Sequence, residues 1–138
     1  MNSIPFNSII GKIKQIENYD GVNVVEFDFD GTTLFMMSLE LPSKIQKEQR
    51  VVLGVKPSHI TIAKNYNLEV TYSNKIKMNI IDITEGKLLC NILMSCNETR
   101  IESLITKRSK DELNLKVGDK VVALIKSSEL FLKDILDD

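Results

Sequence analysis

The chain has 138 residues, 43% of them hydrophobic and 27% charged, with 18 Lys+Arg against 19 Asp+Glu. That make-up is that of a globular protein, and it argues against a disordered chain, a helical membrane span and the positive field of a nucleic-acid binder. Two cysteines, Cys90 and Cys96, and one histidine, His59, make no zinc pattern and no nucleophile–base pair, so neither a metal cation nor an enzyme is expected.

In chain order, apolar and polar residues alternate from Ile9 to Ile16, a strand with a bulge or bend expected at Gly11. Met1 to Phe6, ahead of it, lacks the basic region and apolar core of a signal peptide, so reduced thiols and a cytoplasmic location are expected. Tyr19-Asp20-Gly21 is a turn, Val22 to Phe29 a strand with Val25, Phe27 and Phe29 on one side, and Asp30-Gly31 a hairpin turn. Thr33 to Leu39 is the next strand, stopped by Pro42, and Val51 to Ile62 gives a closing pair of strands. After the break at Asn65-Tyr66-Asn67, Asn74 to Thr84, Lys87 to Ser95 and Arg100 to Thr106 read as strands. Ser109 with Glu112 three residues on reads as a capping box for a helix running to Leu113. A last pair of strands follows Gly118. Met36, Met37, Met78 and Met94 read as packing residues, and the acidic tail Asp134 to Asp138 as a solvated end.

The two halves repeat one plan: Asn7 matches Asn74, Gly21 matches Gly86, Ser38 matches Thr106 and Lys56 matches Lys126. Five short strands per half, with a small helix before the last two in the second, predict an all-β chain of two tandem five-stranded OB-like barrels, 1–66 and 67–138. At the last corner of each half stands a lysine followed by small residues, Lys126-Ser127-Ser128 and Lys56-Pro57-Ser58. An ammonium, hydroxyls and nearby backbone N–H groups together suit a small oxyanion.

Thr71-Tyr72-Ser73-Asn74, Ile105-Thr106-Lys107-Arg108-Ser109, Leu113 to Asp119 and Val121 to Ser128 together resemble a Mop domain, of the TOBE class of molybdate- and tungstate-binding modules. The first half resembles the class less closely, through Asn7-Ser8 and Lys56-Pro57-Ser58-His59. Two such units resemble the di-Mop molbindins. That resemblance implies a cytoplasmic trimer that stores, buffers or delivers the oxyanion without catalysis, and needs no organic cofactor. The donors it implies are Thr71, Ser73, Asn74, Thr106, Ser109, Lys126, Ser127 and Ser128, with Asn7, Ser8, Lys56 and Ser58 as a weaker first-half set. For Asn7 and Asn74 a strand-end cap is the alternative role, and His59 reads as a surface or hydrogen-bonding histidine. The family opens with Ser, a variable residue, Arg and Asn; here Ile4-Pro5-Phe6-Asn7 and Thr71-Tyr72-Ser73-Asn74 both lack the arginine, and Pro57 lacks an N–H that Ser127 keeps. Two other functions fit the sequence: a regulatory or accessory module of a molybdate transporter, and an OB-type nucleic-acid binder. The second has little support from 6% aromatic residues and no Trp.

Overall fold

The structure, a computed structural model, describes residues 4–136. Ten strands and one short helix follow one another: β1 (Asn7–Tyr19), β2 (Val22–Phe29), β3 (Thr32–Ser38), β4 (Arg50–Val55) and, after a 3-10 turn at Pro57–His59, β5 (Thr61–Ala63). The second half gives β6 (Asn74–Glu85), β7 (Leu89–Cys96), β8 (Thr99–Thr106), α1 (Lys107–Leu113), β9 (Lys120–Ile125) and β10 (Phe131–Ile135). Alternation sets the faces: Asn7, Ile9, Gly11 and Ile13 of β1 point inward, as do Asn74, Ile76, Met78 and Ile80 of β6. The hairpin between β2 and β3 turns through Asp30 and Gly31 at φ 47° and 87°, the positive values that a two-residue turn of that type requires.

Two five-stranded sheets result, in the orders β10-β4-β1-β2-β3 and β5-β9-β6-β7-β8. The expected pairs of strands closing each half are therefore corrected. The chain runs through each corner and delivers its next strand to the other sheet: Leu132 pairs with Leu53 of β4, and Ile62 with Ala123 of β9. Each delivered strand covers an edge that would otherwise expose unpaired backbone groups. The hydrogen bonding crosses the expected boundary at 66/67. The buried residues of both halves form one continuous cluster.

The repeat is in register. Lys12 pairs with Asp28 and Asn79 with Ser95, a shift of 67 on both strands (79 − 12 and 95 − 28). Asn7 pairs with Val55 and Asn74 with Ile125, so the shift becomes 70 from β4 onward (125 − 55). The three extra residues all fall in the connection that contains α1. Two repeat matches are thereby corrected: Ser38, paired with Asn23, corresponds to Ile105, paired with Cys90, and not to Thr106. By the same shift Gly21 corresponds to Leu88, not Gly86.

Gly11 is not a bulge either. It sits in regular pairing opposite Val51, and the irregularities fall between Ile13 and Gln15 and, equivalently, between Ile80 and Asp82. The helix is capped by Thr106, whose Oγ1 accepts the N–H of Ser109 at 3.1 Å, so Ser109 lies inside the first turn. Of the methionines, Met36, Met78 and Met94 are buried, but Met37 is 45% exposed, because it falls on the outward side of β3. Asp134 belongs to β10 and not to a free tail, and Asp137 and Asp138 lie outside the described residues.

Candidate functional site

The strand exchange decides which of the expected donors meet. Asn74 is the first residue of β6 and pairs with Ile125, the last of β9, so Ser73 comes beside the corner at Lys126, with Thr71 two residues before it in the chain. First-half residues complete this end. The carboxamide of Asn74 accepts the Phe35 N–H at 2.7 Å and donates to the Phe35 carbonyl at 3.0 Å, and the Met37 N–H donates to the Ser127 carbonyl at 2.9 Å. Ser128 lines a cavity of about 320 Å³ together with Met37, Ser38, Glu40 and Phe131.

The other end repeats this with the halves reversed. Asn7 donates to the Glu102 carbonyl at 2.9 Å and accepts the Glu102 N–H at 2.7 Å. Ser58 lines a cavity of about 450 Å³ with Thr106, Ser109 and Glu112. Thr106 and Ser109 are thus gathered with Ser58 of the first-half corner, and not with Lys126. The hydroxyls of Thr106 and Ser109 also bond each other at 2.9 Å while serving the helix cap. Ser8, the remaining first-half donor, accepts from Lys133 of β10 at 3.2 Å.

Both asparagines are buried, and each spends its carboxamide oxygen and one amide N–H on the neighbouring half. They act as bolts between the halves, fixing the corner beside them. Phe35, Met37, Ser38 and Glu40 were missed as site residues because each belongs to the other repeat; Ser38 had stood out only as a repeat mark and Met37 only as a packing residue.

The second-half corner has free donors. Among the described residues, the N–H groups of Ser127 and Ser128 donate to no protein acceptor, and the Lys126 ammonium makes no hydrogen bond or ion pair. The hydroxyls of Thr71, Ser73, Ser127 and Ser128 are likewise unclaimed. The first-half corner is poorer. Ser58 keeps a free N–H, but Pro57 has none and opens the 3-10 turn, where a missing N–H costs the fold nothing. The charges point the same way: each cavity carries a carboxylate, Glu40 in one and Glu112 in the other, which repels a dianion. Lys126 and Ser73 line neither of these two cavities. His59 faces Glu129 of the opposite corner, Nδ1 to Oε2 3.5 Å. No cluster of three or more His, Cys, Asp or Glu able to hold a metal ion occurs among the described residues.

Residues 72–132 match the family model described as the TOBE domain. The match covers a little under half of the chain. It takes in the Lys126-Ser127-Ser128 corner, Ser73 and Asn74 together. Similar curated proteins are molybdenum import ATP-binding proteins called ModC. The one from Brucella abortus (strain 2308) is 27% identical over 75% of this chain and 28% of its own length. That from Paramagnetospirillum magneticum is 26% identical over 93% of this chain and 34% of its own. The chain thus spans about a third or less of the length of these relatives. Among solved structures, the cytoplasmic molybdate-binding protein ModG, with molybdate bound, superposes with a TM-score of 0.86 at 22% identity, over 93% of this chain and 95% of that one. That superposition establishes the two-unit fold.

Proposed function

We propose that this protein binds molybdate or tungstate as a cytoplasmic store, buffer or carrier, without catalysis and as a homotrimer of chains with repeat units 1–66 and 67–138. The carrying observation is the Lys126 corner, where two backbone N–H groups, an ammonium and the hydroxyls of Ser73, Ser127 and Ser128, all within the segment that matches the TOBE model, have no protein partner among the described residues. A tetrahedral dianion needs that set: many convergent donors, one positive charge and few acceptors. The fold shared with a molybdate-bound structure supports the assignment, and so do relatives named for molybdenum import. The chain's overall charge of −1 is no obstacle, because the field required is local.

Titration calorimetry with molybdate, tungstate and sulfate tests this. Heat is expected with the first two, and silence from all three at millimolar ligand would sink the proposal. Lys126→Ala removes a charge-assisted contact of about 1.5–3 kcal/mol, a loss of roughly ten- to hundredfold in affinity. Lys56→Ala is expected to cost less, because its corner offers fewer free donors. A monomer by light scattering would remove the trimer. The ModC relatives favour one second role, as an accessory of a molybdate importer; a pull-down of transporter components that depends on molybdate would select it over storage.

A further inference from the structure

The exchange of β5 and β10 raises a question of partner choice, because any copy of the chain offers the same two edges. Phe131 of β10 lies opposite Gly54 of β4, and Thr61 of β5 lies opposite Leu124 of β9. These are the same two places in the two halves, since 124 − 54 and 131 − 61 both equal 70. The sizes are reversed between them. A Cβ built on Gly54 would collide with the far edge of the Phe131 ring, whose Cε1 would stand at 3.0 Å with two other ring atoms closer. The ring has little freedom to swing away while keeping its contacts, because Phe6 packs against it edge-on at 5.1 Å. In the other half, Leu124 is only 3% exposed, and its small neighbour Thr61 is held by a hydrogen bond of 3.1 Å to the Tyr72 hydroxyl.

We propose that this reversed pairing, Gly54 with Phe131 and Leu124 with Thr61, is a selectivity key that makes each sheet accept a strand only from the unlike half. Like-with-like exchange between two copies would set Phe131 against Leu124, where there is no room, or Thr61 against Gly54, where it leaves a gap. Both errors are destabilising, the first by overpacking and the second by lost contact. The partner refused is the like half, above all that of a second copy of this chain, which would otherwise offer each sheet a wrong strand as well as the right one. The inference is independent of any bound ligand.

The full-length chain tests it. Gly54→Leu is expected to lower Tm by roughly 5 °C or more, and Gly54→Leu/Phe131→Thr, which copies the second-half key, to recover at least half of that loss. Because both keys are then alike, the double variant refolded from denaturant at high concentration is expected to give extra high-mass species on size exclusion. Wild type refolded in parallel should return to its starting assembly. The reciprocal chain, Thr61→Phe/Leu124→Gly, should give the same extra species and keeps the test open if the first double variant folds poorly. Losses that simply add in the double variant overturn the key. So does refolding of both altered chains without the extra species.

Discussion

The two halves fold onto one backbone plan and fill it differently. At matching inward places the first half has Gly11, Phe27 and Leu53, and the second has Met78, Met94 and Ala123 (78 − 11 and 94 − 27 equal 67; 123 − 53 equals 70). A Cβ on Gly11 would stand 3.3 Å from the Phe27 Cβ and 3.4 Å from the Leu53 Cδ1, so the glycine is the space that the phenylalanine and the leucine need. The second half spreads the same volume over two flexible methionines and reduces the third place to alanine. Packing at near-crystalline density constrains the sum and leaves the parts free, which is why two repeats can share a register while sharing few residues.

That contrast predicts the largest effect on stability. Phe27→Ala should cost about 3–5 kcal/mol in urea unfolding, because Gly11 has no side chain to move into the cavity. Met94→Ala should cost less, about 2–3 kcal/mol, because the unbranched Met78 beside it can relax toward the gap. Equal losses would show that the two cores are equally rigid and would remove the contrast.

Next in size come the bolts between the halves, where the two ends are expected to behave alike. Asn74→Ala leaves the Phe35 N–H and carbonyl without their partner, and Asn7→Ala does the same to Glu102. Each should cost about 2–3 kcal/mol, and the two values should agree to within about 1 kcal/mol. A much smaller loss for Asn7→Ala in the same urea series would mean that the first-half end is the looser one.

Much of the fold could be read in the sequence, for a definite reason: half-buried strands alternate, and Val25, Phe27 and Phe29 on one side of β2 announce their face whatever they pair with. The exchange could not be read. Two repeats on one plan offer two chemically similar edges, and only the sizes at Gly54, Phe131, Thr61 and Leu124 distinguish them. The candidate site was legible to the same depth. Lys126, Ser127 and Ser128 were visible as a corner, and Ser73 through the family pattern. The companionship of Thr106 and Ser109 with Ser58 depends on which sheet receives β5, and that is a tertiary fact. Asn7 and Asn74 could be named from the repeat, but not their bonds to strands lying 95 and 39 residues away.

The connections before β4 and β9 differ most, and they give a smaller test. In the second half Thr106 caps α1, while in the first Ser38 closes a short turn, its Oγ donating to the Glu40 carbonyl at 2.6 Å and accepting the Glu40 N–H at 3.2 Å. Thr106→Ala should cost about 1 kcal/mol, since it leaves an N–H of the first helical turn unsatisfied. Ser38→Ala should cost less, because no helix depends on it. Thermal unfolding of the pair would order them, and the reverse order would mean that the turn at Ser38, not the cap, anchors its connection.

The same connections carry the smallest expected effect, an electrostatic one in which the halves again agree. Glu48, in the first connection, is held below the usual carboxylate range by Lys14 at 3.0 Å and Lys12 at 3.3 Å. Asp111, on α1, is held down chiefly by Lys107 at 3.2 Å. A carboxyl group whose folded pKa is depressed contributes stability that is present above its unfolded pKa and is lost as pH falls through the folded value. Acidification below the ordinary carboxylate range should therefore loosen both connections together. Both carboxylates are fully exposed, so the contribution is screened and should shrink further in added salt. In a series of melting curves taken toward low pH, Glu48→Gln and Asp111→Asn should each make the acid fall in Tm shallower by a similar small amount. If only Asp111→Asn did so, the Lys12 and Lys14 contacts would contribute nothing in solution, and the first connection would rest on its hydrogen bonds alone, with the Ile13 carbonyl accepting the Glu48 N–H at 2.7 Å.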